Sequence, residues 1–230
     1  MEVKGTKTNE LMTKFRQSIL NDTPPQEKKH AEDFIKANTK SVVSLYLIRK
    51  YFFANSSPDY DKALSLLALL EKEQGKNPLF GKMKTWATDT KNSSVGKQLP
   101  TFTAYDLNGK MVSSADLSSA PVAVIYTWAS YNYDSQELQR ELKRRQKKAN
   151  GRLKMMGFCL DASKYECKQN IKRDSITSPT ICNGEMMEDK TLNKLGLKSL
   201  PNIILLQNGK IIARGMKKQE LYNKLDELLK

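Results

Sequence analysis

Apolar residues recur with two different periods along this chain, and the change of period divides it. Up to about residue 92 they are spaced for helices. Leu11, Phe15 and Ile19 fall at i, i+4 and i+8, which lines one helix face. Thr23-Pro24-Pro25 ends that pattern and opens the next, because proline fits a first helical turn, where no N–H is needed. Ala31, Phe34 and Ile35 continue a short stripe, and a richer one runs from Val42 through Leu45, Tyr46 and Ile48 to Phe52. Ser57-Pro58-Asp59 predicts the start of a helix with Ala63, Leu66, Leu67 and Leu70 inward. Asn77-Pro78 predicts a last one with Met83, Trp86 and Ala87. Four or five packed helices are expected.

Beyond the polar run Lys91-Asn92-Ser93-Ser94 the pattern turns to strands, and two domains follow, 1–92 and 93–230. Asn108-Gly109 and Asn208-Gly209 predict hairpins, since both residue types tolerate positive φ. Val122-Ala-Val-Ile-Tyr126 is apolar and β-branched, too short for a helix and suited to a strand buried on both faces. It runs through Trp128-Ala-Ser into a charged helical pattern from about Asp134 to Ala149, with Leu138 and Leu142 toward the sheet. A second buried strand is expected over 153–161, a helix from Ser163 to Ser175, an extended piece over 178–183, and a helical turn closed by Gly196. The chain ends in a strand pair and a helix with Leu221, Leu225 and Leu228 inward. A strand passing straight into a helix is where α/β sheets place their chemistry.

At that point the chain resembles the thioredoxin superfamily, in particular its TlpA/ResA-like branch, whose signature reads Trp-Ala-x-Trp-Cys-x-x-Cys. Here the frame reads Trp128-Ala129-Ser130-Tyr131-Asn132-Tyr133-Asp134-Ser135. Further likenesses are the opening Val95-Gly96-Lys97-Gln98-Leu99-Pro100-Thr101-Phe102, the segment 111–117, and Leu200-Pro201 before a buried strand. The helical stretch 33–46 is similar to one preceding many Bacteroidetes thioredoxin-like domains. The resemblance implies an α/β thioredoxin fold, a mixed sheet flanked by helices, behind a small all-helical domain. It also implies a cis bond at Pro201 and a bacterial envelope or periplasmic setting.

The resemblance further implies that Asn132 and Ser135 stand where the family has its two cysteines, and Leu138 where it often has a glutamate. Disulfide exchange needs a thiolate nucleophile and a second, resolving thiol, and neither residue supplies one. The expectation is therefore a redox-inactive module with no catalytic residue, leaning away from an enzyme. Such a module would bind a protein or extended peptide by strand addition, which needs no sulfur. Trp128, Tyr131, Asn132, Tyr133, Ser135, Leu200 and Pro201 are the candidate groove residues. Two alternatives stand beside it: thiol-disulfide exchange through other cysteines, and charge-driven binding to an anionic surface.

Charge and cysteine usage narrow these only a little. The net charge is +14, densest at Lys143-Arg144-Arg145-Gln146-Lys147-Lys148. No aromatics interleave that run, as a single-strand nucleic-acid platform requires, so a solvated helix face is expected and no nucleic acid. Cys159, Cys167 and Cys182 have no metal-ligand spacing, and His30 is the chain's one histidine. No metal and no cofactor are expected, and buried cysteines acting as small hydrophobes are the plain reading. The first residues show no apolar signal-peptide core, and no apolar run approaches the roughly 18 residues of a membrane span. Oligomeric state is open.

Overall fold

In the computed structural model, residues 5–53 and 58–230 are described, and the Ser57 expected to open a helix lies outside them. The chain divides into two compact units, Met1–Lys91 and Asn92–Lys230.

The first unit is helical among its described residues: α1 Lys7–Ser18, α2 Pro24–Ala37, α3 Val42–Ile48, α4 Tyr60–Gln74 and α5 Pro78–Asn92, the last ending one residue into the second unit. Its helix starts follow from local chemistry. Gln26 Oε1 accepts the Thr23 N–H at 2.9 Å ahead of the prolines of α2, a reciprocal arrangement of cap and third helical residue. Asp59 Oδ1 accepts the Lys62 N–H at 3.0 Å and caps α4. The expected stripe from Val42 to Phe52 is longer than α3, because Arg49–Phe53 continues it as a π-helical turn. That turn buries Tyr51, Phe52 and Phe53 together. Phe15, Ala31, Ile35, Leu45, Ile48, Leu66, Leu70 and Met83 belong to one core.

The second unit opens with the hairpin β1 Thr103–Tyr105 and β2 Met111–Ser113, followed by α6 Ser114–Ser118. Then come β3 Val122–Trp128, α7 Tyr133–Lys148, β4 Leu153–Cys159, α8 Lys164–Arg173, β5 Thr180–Ile181, α9 Lys190–Lys194, β6 Ile203–Gln207, β7 Lys210–Arg214 and α10 Lys218–Leu228. The main sheet has the order β5-β4-β3-β6-β7. β3, β4 and β5 are parallel, β6 runs antiparallel to β3, and β7 runs antiparallel to β6 and so in the direction of β3. This is a mixed sheet flanked by helices, as expected.

Alternation along β3 builds two cores. Ala123 and Ile125 face one side with Met156, Phe158, Ile204 and Leu206. Val124, Tyr126 and Trp128 face the other, with Leu138 and Leu142 of α7 and Leu221 and Leu225 of α10. Every residue of β3 is buried, so the strand must be apolar on both faces. Within the polar run at 91–94, Ser93 turns inward. Ser93 is fully buried, its hydroxyl donates to the Leu195 carbonyl at 3.0 Å, and Arg214 donates to it at 2.8 Å. Arg214 also reaches the Leu195 and Gly196 carbonyls, each at 3.0 Å, which satisfies the otherwise orphan C-terminal acceptors after α9.

Candidate functional site

Three connections meet where the C-terminal ends of β3 and β4 lie beside the start of β6: the β3–α7 turn, the segment after β4, and the segment before β6. Thr127 ties the first to the third. Its hydroxyl donates to the Ser199 carbonyl at 2.9 Å and accepts the Asn202 N–H at 2.7 Å. Its own N–H donates to the Asn202 carbonyl at 3.0 Å. The Leu200–Pro201 peptide within that segment is cis. Asp161 ties the first to the second, its Oδ1 accepting the Ser130 N–H at 2.9 Å. Neither Thr127 nor Asp161 was singled out from sequence. A hydroxyl between Tyr126 and Trp128 in an apolar strand, and a carboxylate at the end of the next strand, were the available signals.

Asn132 and Ser135, which the resemblance aligns with the family's two cysteines, both take part in the turn. Asn132 is the N-cap of α7, its Oδ1 accepting the Ser135 N–H at 2.8 Å. Asparagine is among the best residues for that role. Ser135 is fully buried. Its Oγ accepts the Ala129 N–H at 3.1 Å and donates to the Asn132 carbonyl at 2.9 Å. Leu138 is fully buried as well. The turn thus closes on itself with amide and hydroxyl groups.

Of the other groove candidates, Tyr131 and Tyr133 stand out in solvent at 67% and 74% exposure. The Arg140 guanidinium lies 5.7 Å from the Tyr133 ring centroid. Leu200 is half-buried against the core that contains Leu195 and Leu197, and Pro201 is half-buried. Trp128 corrects the expectation: it is fully buried and packs into the opposite core. As the last residue of β3 it follows the alternation of Val124 and Tyr126 inward, so it supports the turn and forms no part of an exposed lip. Its indole nitrogen has no hydrogen-bond partner among the described residues.

A larger correction concerns the cysteines. Their spacing suggested no ligand set, yet the sulfurs of Cys159, Cys167 and Cys182 all lie within 4.8 Å of one another. The fold does this by topology. Cys159 ends β4, Cys182 follows β5, and Phe158 pairs with Ile181 across the two strands. Cys167 sits in the first turn of α8, the helix that connects those strands. All three are free and buried. Hydrogen bonds from Cys159 and then Cys167 favour the thiolate of Cys182, with the Gly184 amide and the Lys164 charge adding to them, and hold it far below an ordinary thiol. The bond with Cys167 in turn keeps Cys159 protonated.

The basic run of α7 is partly paired. Arg144 and Arg145 both reach Glu141, Arg145 reaches Asp226 at 3.2 Å, and Lys143 donates to the Asp174 carbonyl at 2.7 Å.

No family model matches the chain, and no curated protein matches it. Solved structures do. A thiol-disulfide oxidoreductase from Bacteroides fragilis is 29% identical over 57% of this chain and 99% of its own, with a TM-score of 0.51. The C-terminal domain of a protein proposed to be a thiol-disulfide oxidoreductase, from Bacteroides thetaiotaomicron, is 27% identical over 60% of this chain and 97% of its own, at 0.53. A thioredoxin-like protein from Bacteroides caccae shares 13% identity over 93% of this chain and 87% of its own, at 0.60. That last likeness speaks for the fold alone. With the sheet order and the strand–turn–helix that follows its central strand, these likenesses make the second unit a thioredoxin-superfamily domain, similar to thiol-disulfide oxidoreductases of Bacteroides.

Proposed function

We propose that the thioredoxin-type unit binds an extended segment of a protein or peptide and runs no dithiol–disulfide cycle at its strand–helix turn. The observation that supports this most is the use of Asn132 and Ser135 as helix cap and turn brace, in a turn without sulfur. Beside it, no hydrogen bond reaches the Leu200 backbone among the described residues, so its amide and carbonyl are available to a strand laid along the loop. Tyr131 and Tyr133 supply exposed aromatic surface at the same end of the sheet. No helix among the described residues is long and apolar enough to cross a membrane. An envelope or periplasmic location is proposed from the likeness to the Bacteroides proteins, and cell fractionation checks it.

The competing reading is disulfide exchange through Cys159, Cys167 and Cys182. Exchange requires in-line approach of a protein disulfide to a sulfur, and these residues are only 5%, 0% and 5% exposed. One pair of measurements separates the two readings. Reduced, alkylated insulin B chain, used as an unstructured probe, should perturb the amide resonances of residues 131–133 and 199–202. Dithiothreitol-driven insulin reduction should run no faster with the protein than without it. Acceleration that disappears in Cys182→Ser would establish the competing reading, and unperturbed resonances would remove the groove.

A further inference from the structure

We propose that Cys159, Cys167 and Cys182 form a three-sulfur site for one soft, thiophilic cation of the Cu(I) type. They are all the cysteines of the chain, and three different elements bring them to one point. An ion equidistant from three thiolates at roughly 2.3 Å requires sulfur–sulfur distances of about 4.0 Å. The present separations, none above 4.8 Å, come within reach of that by rotation of side chains. Packing alone asks only that each thiol be buried, not that the sulfurs converge.

The donor set selects the ion. It holds three sulfurs and no imidazole or carboxylate among the described residues. Zinc completes a tetrahedron with a fourth ligand, a protein group or water, and no fourth protein donor joins the three sulfurs among the described residues, whereas Cu(I) is a soft ion that thiolates suit. Donor and acceptor groups both surround the sulfurs, the Cys182 Sγ lying 3.6 Å from the Asp161 carbonyl. Cys167 lies in the first turn of the ten-residue α8, where the helix dipole favours negative charge. The Gly184 amide reaches the Cys182 sulfur, and Lys164 places a positive charge near it. An entry path exists as well: Cys182 forms part of the wall of an open pocket of about 590 Å³, together with Lys164 and Lys168. A bare ion can reach sulfurs that a protein disulfide cannot. On binding, up to three S–H bonds break, three S–Cu bonds form, the protons leave to the buffer, and copper stays in the +1 state.

The test is an anaerobic titration of the reduced full-length protein with Cu(I) buffered by bathocuproine disulfonate, with X-ray absorption on the loaded sample. The expected result is one copper per chain with three sulfur neighbours. Cys167→Ser and Cys167→Ala should each weaken binding by at least about 100-fold, the upper end for loss of even an outer-shell partner. Far-UV circular dichroism identifies a variant that fails to fold, and the wild-type sulfur count stands without any variant. Failure to withdraw copper from the chelator overturns the proposal, as does a coordination number other than three sulfurs. Unchanged affinity in folded Cys167→Ala also overturns it. So does a thiol count of one in protein unfolded without reductant, which would mean that two of the three are joined as a disulfide.

Discussion

Asn132 and Ser135 show how a turn shaped like a redox motif is held together without sulfur. Asn132→Ala removes the α7 cap and should cost about 1 kcal/mol, whereas Asn132→Asp keeps an acceptor and adds a charge that the helix N-terminus favours. Ser135→Ala leaves the Ala129 N–H, bonded at 3.1 Å in the native turn, buried without an acceptor, at a cost of about 1–3 kcal/mol. Urea denaturation midpoints check both, and an Ser135→Ala protein as stable as wild type would mean the brace is not real. At this scale the turn was legible, because its frame residues are contiguous. The cysteine cluster was not, because Cys159, Cys167 and Cys182 are adjacent only after β4, α8 and β5 fold over one another. Cys159 and Cys182 fall in the two segments expected to be extended, 153–161 and 178–183, whereas placing Cys167 beside them needed the packing of the connecting helix. Trp128 misled for a related reason, since an aromatic beside a functional turn looks exposed until strand alternation is followed to its last residue.

Among the elements, β4 has a glycine at its centre for a packing reason. A Cβ on Gly157 would lie 3.0 Å from the Tyr126 hydroxyl and 3.2 Å from the Trp128 indole nitrogen. Gly157→Ala should therefore cost about 1–3 kcal/mol by overpacking, and Gly157→Ala with Tyr126→Phe should recover part of it; no recovery would place the strain elsewhere. A second element-level effect joins α7 to the end of α8. Burial raises the Asp174 carboxyl, but its bonds to Arg173 and Arg140 outweigh this and hold it below an ordinary carboxylate. A depressed folded value stabilises the protein above the unfolded value of about 3.9, and that contribution is lost as pH falls through the folded one. Asp174→Asn should lower stability at pH 7 by about 1–2 kcal/mol and leave it nearly unchanged near pH 2, read from urea melts at both. Element starts were the most legible part of the fold, since Thr23, Asp59, Asn132 and Ser163 cap by local chemistry. The π-helical turn after α3 was not, because its register shift serves the burial of Tyr51, Phe52 and Phe53 and leaves no mark in a 3.6-residue period.

At the scale of the whole molecule, each unit has its own apolar interior. One core draws on residues from Phe15 to Ala87, and the two sheet-backed cores draw on residues from Leu99 to Leu229. The switch from helical to strand periodicity was visible in sequence for this reason: each period serves the interior of its own unit. The second unit also closes its own N-terminus, since Ser93 is held by Leu195 and Arg214 and Gly96 donates to the Ile211 carbonyl at 2.8 Å. A fragment of residues 92–230 should therefore fold alone, with one cooperative urea transition and native-like near-ultraviolet circular dichroism from the buried Trp128 and Tyr126. Arg214→Ala in that fragment removes donors to four acceptors, the Ser93 carbonyl and hydroxyl and the Leu195 and Gly196 carbonyls. It should lower the unfolding free energy by at least about 2 kcal/mol, since hydrogen bonds to a charged group contribute about 1.5–3 kcal/mol each and are not additive here. Far-ultraviolet signal without the near-ultraviolet signal, or a broad non-cooperative transition, would show that the sheet cores do not suffice and that residues 1–91 are needed to complete the fold.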